Sequence, residues 1–276
     1  LLKRKMRELG FVVGLAVLIY IGAQTILSLL ASFSLKALLG KVFNETDISL
    51  IMQIILQVTS LGLASVFVLA YCNSHKVSSL TIVTSVKAKA KIIFVALFLV
   101  FSLQLFLTLV LYPLLGLNYD IVDMFEISVE SSFFTKIIAV LTIAVTPAIF
   151  EELFFRKAII DFTSRYGRKF ALVFSALLFG LLHMNLSQGF FAFILGLIMG
   201  IIYIYTNDIK LTMLIHFINN GVATLALILP ELWLALAGLL LIASIIAGIV
   251  FFIQFLVKKS SREKLLSLCK SRILGI

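Results

Sequence analysis

Long apolar runs alternate with short polar connections along almost the whole chain. Eight runs stand out: Gly10 to Leu35, Ile48 to Cys72, Ile92 to Leu117, Phe133 to Phe155, Phe170 to Met184, Gly189 to Tyr205, Leu211 to Leu229 and Leu232 to Val257. A helix needs about 20 apolar residues to cross about 30 Å of hydrocarbon, and the pattern predicts an all-α polytopic membrane protein of about eight transmembrane helices. The first run is longer than a secretory h-region and lacks a small-residue cleavage site, so it is expected to stay as a helix. No low-complexity tract or long polar linker interrupts the runs. The chain reads as one membrane domain, 1–276: three N-terminal helices, a core at 133–229 that carries the polar motifs, and a C-terminal helix with a basic tail.

Composition agrees, with 62% hydrophobic residues and a mean hydropathy of +1.18. The net charge of +10 raises the question of a nucleic-acid partner, and its distribution answers it. With eight crossings both termini share one side. That side receives 20 of the Lys and Arg residues, and only Lys36, Lys41 and Lys136 remain for the other, whose loops hold Asp120, Asp123, Glu126 and Glu130. The positive-inside rule puts both termini in the cytoplasm of a multi-pass cell-membrane protein. No basic stripe on a soluble face is left for nucleic acid. Cys72 and Cys269 both fall on the reducing side and make neither a disulfide framework nor a metal site.

Ionisable groups at membrane depth are costly and point to function. Three places hold them: Glu151 and Glu152 in the fourth run, His183 at the end of the fifth, and His216 with Asn220 in the seventh. Glu152 and Arg156, Phe179 and His183, and His216 and Asn220 are each four apart, so each pair shares a helix face. Neighbouring Glu151 and Glu152 diverge by about 100° around a helix, so one is expected to face the reaction centre while the other pairs with Arg156. Pro147 frees the carbonyl of Ile143 and bends its helix, a break that must face protein or a wet cavity. Other features read as packing: the small row Ala192, Gly196 and Gly200, Trp233 as an interfacial anchor, and Gln24, Gln53, Gln57 and Gln104 as interhelical hydrogen-bonding residues. His75 has no companion.

Two histidines, a carboxylate and an amide from three helices suit either a zinc site at Glu151, His183 and His216 or a metal-free hydrolytic site, although the H-E-x-x-H motif is absent. In the metal-free case a desolvated carboxylate takes a proton from water, and His216 with the Asn220 amide steadies the oxyanion of a peptide carbonyl.

Taken together, Glu151-Glu152-Leu-Phe-Phe-Arg156, Phe179-Gly-Leu-Leu-His183 and His216-Phe-Ile-Asn-Asn220 match E-E-x-x-x-R, F-x-x-x-H and H-x-x-x-N in order on successive helices. This resembles the CPBP family, which includes the CAAX prenyl endopeptidases and bacteriocin-processing or self-immunity proteins. The resemblance covers Phe133 to Leu229 and implies an eight-helix intramembrane protease. It implies that Glu151 and His183 activate water, that His216 and Asn220 bind the oxyanion, that Glu152 with Arg156 supports the site, and that zinc is an open alternative. The implied partners are the bilayer and a peptide or membrane-tethered protein substrate. The competing reading is a non-catalytic immunity or scaffold protein that binds a bacteriocin, a sensor kinase or a secretion component. A transporter fits less well, because the polar residues are confined to one half. Depth poses one difficulty: His183 follows Lys169 by fourteen residues, about 21 Å of helix. The expectation is therefore a fifth helix whose start, with Arg165, Arg168 and Lys169, projects from the membrane.

Overall fold

The computed structural model describes residues 2–74, 86–116 and 127–229, with isolated helical positions between 235 and 257. Among the described residues every regular element is a helix. They are α1 (Leu2–Leu39), α2 (Glu45–Ser74), α3 (Val86–Phe106, continued by a π-turn at Leu107–Leu111 and by Tyr112–Leu114), the long composite α4, α5 (Arg168–Leu181), α6 (Leu186–Thr206) and α7 (Ile209–Ile228). Composite α4 runs through Phe133–Val140, a π-turn at Leu141–Val145, Thr146–Glu152, a second π-turn at Leu153–Ile160 and Asp161–Thr163. Among the described residues six stretches are long and apolar enough to cross a membrane: Lys3–Ala31, Glu45–Ser74, Ala88–Leu114, Phe133–Tyr166, Leu186–Thr206 and Ile209–Ile228. The chain is a multi-pass, all-helical membrane protein. Trp233, His75, Cys269, the loop acids Asp120, Asp123 and Glu126, most of the eighth apolar run and the basic tail lie outside the described residues.

Two compact units divide the chain. The first contains α1, α2, α4 as far as Phe162, and α7 from His216 onward. Its helices start at well-formed caps: Ser132 Oγ accepts from the Thr135 amide at 3.0 Å, and Asn44 Oδ1 from the Asp47 amide at 2.7 Å. Antiparallel α1 and α2 are tied by Tyr71 Oη donating to Glu8 Oε1 at 3.0 Å, with Gln24 Oε1 level with Ser60 Oγ at 3.5 Å. At one end, Leu50, Ile127, Ile138, Ala139 and Ile228 pack into a buried cluster. Twelve residues further along α2, Gly62 lies against the Phe150 ring, where a Cβ would stand 3.7 Å away. Twelve residues back from Ile228 along α7 lies His216. Each interval is about 18 Å at 1.5 Å per residue, so Gly62, Phe150 and His216 share one level.

The second unit holds α3, α5, α6 and the first turns of α7. Helices α5 and α6 form a hairpin whose close approach depends on glycine. A Cβ on Gly180 would stand 2.7 Å from the Gly189 carbonyl oxygen, and one on Gly196 would stand 3.0 Å from Ala176 Cα. Gly180→Ala is therefore expected to destabilise the protein by about 1–3 kcal/mol through overpacking. Gly14→Ala, with nothing within 4 Å of the added methyl, is expected to be neutral or stabilising. Thermal melting of the two purified variants in detergent checks both.

The α5–α6 turn corrects two expectations. Helix α5 has 14 residues, about 21 Å, and is not among the six stretches long and apolar enough to cross a membrane. Arg168 and Lys169 begin it, but Arg165 does not lie on its end: Arg165 belongs to a 3-10 turn, Ser164–Tyr166, and Gly167 at φ 116° breaks the chain before Arg168. Its last turn closes at Leu182, Met184 takes a left-handed φ of 53°, and Asn185 caps α6 by accepting from the Gln188 amide at 3.0 Å. His183 consequently sits in the turn after α5 rather than on the helix. At the far end of α6, burial acts to raise the Asp208 pKa. The bond from Lys89 Nζ and the amides of Leu211 and Lys210 outweigh it and hold the carboxyl below its ordinary range.

Candidate active site

Pro147 sets the local geometry of α4. It has no N–H to offer, and the π-turn at Leu141–Val145 lies directly before the Thr146–Glu152 segment that contains it. Pro kinks and π-turns both interrupt the regular ladder. The Ile143 carbonyl, expected to lack its helical donor, accepts instead from Asn220 Nδ2 of α7 at 2.9 Å. A carbonyl can only accept, so this contact fixes which end of the Asn220 amide is which. Its Oδ1 then takes the bond from Asn219 Nδ2 at 3.0 Å. One N–H of Asn220 bonds the Ile143 carbonyl, and the amide has a second to give.

A level above, the two adjacent carboxylates bracket one imidazole. Glu152 is fully buried, as is Arg156, and Glu152 Oε2 lies 3.1 Å from Arg156 Nε. The other oxygen, Oε1, is 2.9 Å from His216 Nδ1. Across the ring, His216 Nε2 lies 3.7 Å from Glu151 Oε2, whose side chain remains 18% exposed. The Arg156 guanidinium also stands 6.0 Å from the Phe155 ring centroid, within cation–π range. The result is a continuous chain of polar contacts, Arg156 to Glu152 to His216 to Glu151, running from a sealed interior to a partly exposed carboxylate. Because a carboxylate accepts, His216 carries a proton on Nδ1 and presents Nε2 toward Glu151, the arrangement by which a buried acid orients a histidine in hydrolytic triads.

The first unit thus brings together Glu151, Glu152, Arg156, His216 and Asn220. Phe179 and His183 belong to the second unit. There His183 Nδ1 donates to the Phe179 carbonyl at 2.8 Å and the two rings meet edge-on at 4.9 Å. The carbonyl fixes the proton on Nδ1 and leaves Nε2 as the other functional atom.

For zinc, a catalytic site takes three protein ligands. Glu151 and His216 supply two in the first unit, and among the described residues no three His, Cys, Asp or Glu side chains are grouped to hold a metal ion. His183, the third residue of the zinc alternative, belongs to the second unit. Sequence spacing pairs Glu152 with Arg156 but misses that Glu152 also holds His216, a contact across 64 residues. It also misses the π-turn after Glu152, which no residue type announces.

Comparison with known proteins agrees with the motif reading. No curated protein and no solved structure matches the chain. Residues 133–222 match a family model, Rce1-like, described as type II CAAX prenyl endopeptidase Rce1-like. The matched stretch is roughly a third of the chain and holds all three motifs, from Glu151 to Asn220. On that match residues 133–222 are similar to the type II CAAX prenyl endopeptidases, the likeness expected from the three motifs.

Proposed function

We propose that this protein, whose residues 133–222 resemble the type II CAAX prenyl endopeptidases, is an intramembrane endopeptidase. It would cut a peptide or a membrane-tethered protein near the cytoplasmic face, with both its termini on that side. The observation that carries this is the buried Arg156–Glu152–His216 chain ending on the accessible Glu151 carboxylate. A peptide-binding or scaffold surface gains nothing from burying such a set, which costs several kcal/mol of desolvation.

In this reading Glu151 takes a proton from water as the water oxygen attacks the scissile carbonyl. The carbonyl oxygen becomes the oxyanion. His216 Nε2–H and the second N–H of Asn220 donate to it, and the two flanking carboxylates balance the imidazolium charge this requires. Collapse of the tetrahedral intermediate breaks the C–N bond, and Glu151 returns its proton to the leaving amine. The resemblance assigns His183 to the same water. Glu152 and Arg156 hold His216 in orientation.

The test is cleavage of a quenched peptide library by the purified protein in detergent, with and without a zinc chelator. Wild type is expected to cleave regardless of chelator, while His183→Ala and Asn220→Ala each lower kcat by about 10²-fold or more. Chelator loss restored by zinc would replace the metal-free mechanism with a metalloprotease. A folded wild type that cleaves nothing would favour a non-catalytic immunity or scaffold protein acting through a membrane partner.

A further inference from the structure

The α2 helix, outside the stretch that matches the family model, carries an unexplained polar atom. Gln57 Oε1 is buried and has no hydrogen-bond partner. Buried amide oxygens are nearly always paired, and within a membrane-spanning helix no bulk solvent relieves the deficit. Sequence spacing marks Gln57 as an interhelical hydrogen-bonding residue; the structure gives that carbonyl nothing to bond.

Its position makes the deficit informative. Leu50, Gln57 and Ala64 recur every seven residues and share a face of α2. Leu50 and Ala64 are fully buried, and Leu50 packs with Ile138, Ala139 and Ile228. Gln57 therefore points along the inward stripe. It lies seven residues beyond Leu50, about 10.5 Å along α2, and Asn220 lies eight residues before Ile228, about 12 Å along α7. The two amides occupy the same level to within about one residue's rise. The level of Gly62 and Phe150, next to Glu151, is five residues further, about 7.5 Å, or roughly two residues of extended peptide at 3.3 Å each.

We propose that Gln57 belongs to the substrate-binding surface: its side-chain carbonyl accepts a hydrogen bond from a backbone N–H of the peptide, within about two residues of the cleaved bond. The proposal rests on the endopeptidase reading above. At this level Gln57 offers a C=O, the complement of a backbone N–H. It is a neutral amide and so suits backbone rather than a charged side chain. Recognition at this point is independent of substrate sequence.

The experiment compares wild type, Gln57→Leu and Gln24→Leu, with the quenched peptides as substrate and thermal melting in detergent as a second readout. Gln57→Leu is expected to raise KM about five- to tenfold for every cleaved sequence, the scale of one lost hydrogen bond, with kcat within about twofold. It is also expected to raise the melting temperature, because it removes a buried acceptor that the folded protein leaves unpaired. Gln24→Leu, near Ser60, is expected to leave KM unchanged. A lower melting temperature in Gln57→Leu would overturn the proposal by showing that the carbonyl has a structural partner. A raised melting temperature with unchanged KM would overturn it by showing that substrate never reaches the atom. Absence of Glu151-dependent cleavage in wild type would instead bring down the endopeptidase reading, a result distinguishable from either.

Discussion

Glu151→Gln is expected to lower kcat by about 10²–10⁴-fold, the contribution of a positioned general base, with little change in KM or melting temperature. Glutamine keeps the shape of the side chain and removes its ability to take a proton. The fold should tolerate the change, because the Glu151 side chain is 18% exposed and its nearest ionic partner, His216 Nε2, is 3.7 Å away. Glu151→Asp tests position rather than basicity. It keeps the carboxylate but withdraws it by about one methylene, and a misplacement near 1 Å costs about 10²-fold. Initial rates on the quenched peptides, measured at several substrate concentrations, separate kcat from KM. If Glu151→Gln kept more than about a tenth of the wild-type kcat, general-base chemistry at its usual magnitude would have to be assigned elsewhere.

The fold class was legible because a bilayer imposes a length, and six apolar runs in the described chain meet it. The end of α5 was not legible. Leu181, Leu182 and Met184 continue the apolar run in composition, yet the helix closes at Leu182 and Met184 turns left-handed. Hydropathy reports burial in lipid and is silent on a backbone turn. The site divides the same way. Pro147 announces a missing donor because its effect is local, and Glu152 with Arg156 follows from helical spacing. The donor that answers Pro147 is Asn220, 77 residues away in sequence, and the second partner of Glu152 is His216. Such contacts are set by the packing of helices, which a periodicity within one helix cannot express. Gln57 shows the same limit: its polarity is visible in the sequence, but its lack of a partner is a property of the packed fold.

Arg156→Met is expected to destabilise the protein by about 3–5 kcal/mol, the usual result of stripping one member from a buried ion pair. Glu152 has no exposed surface, so its charge would lose its guanidinium without gaining water. The double variant Glu152→Gln with Arg156→Met should recover much of that loss. Neither charge then remains, and the glutamine carbonyl can still accept from His216 Nδ1. A double-mutant cycle on melting or denaturant midpoints in detergent isolates the coupling. Activity should follow a different order. The double variant keeps a hydrogen bond on Nδ1 but loses the carboxylate that balances an imidazolium, so its kcat should stay well below wild type even where its stability is restored. That split between recovered stability and unrecovered turnover is what a charge chain serving His216 requires. If stability and kcat returned together, Glu152 and Arg156 would be acting only as a structural pair.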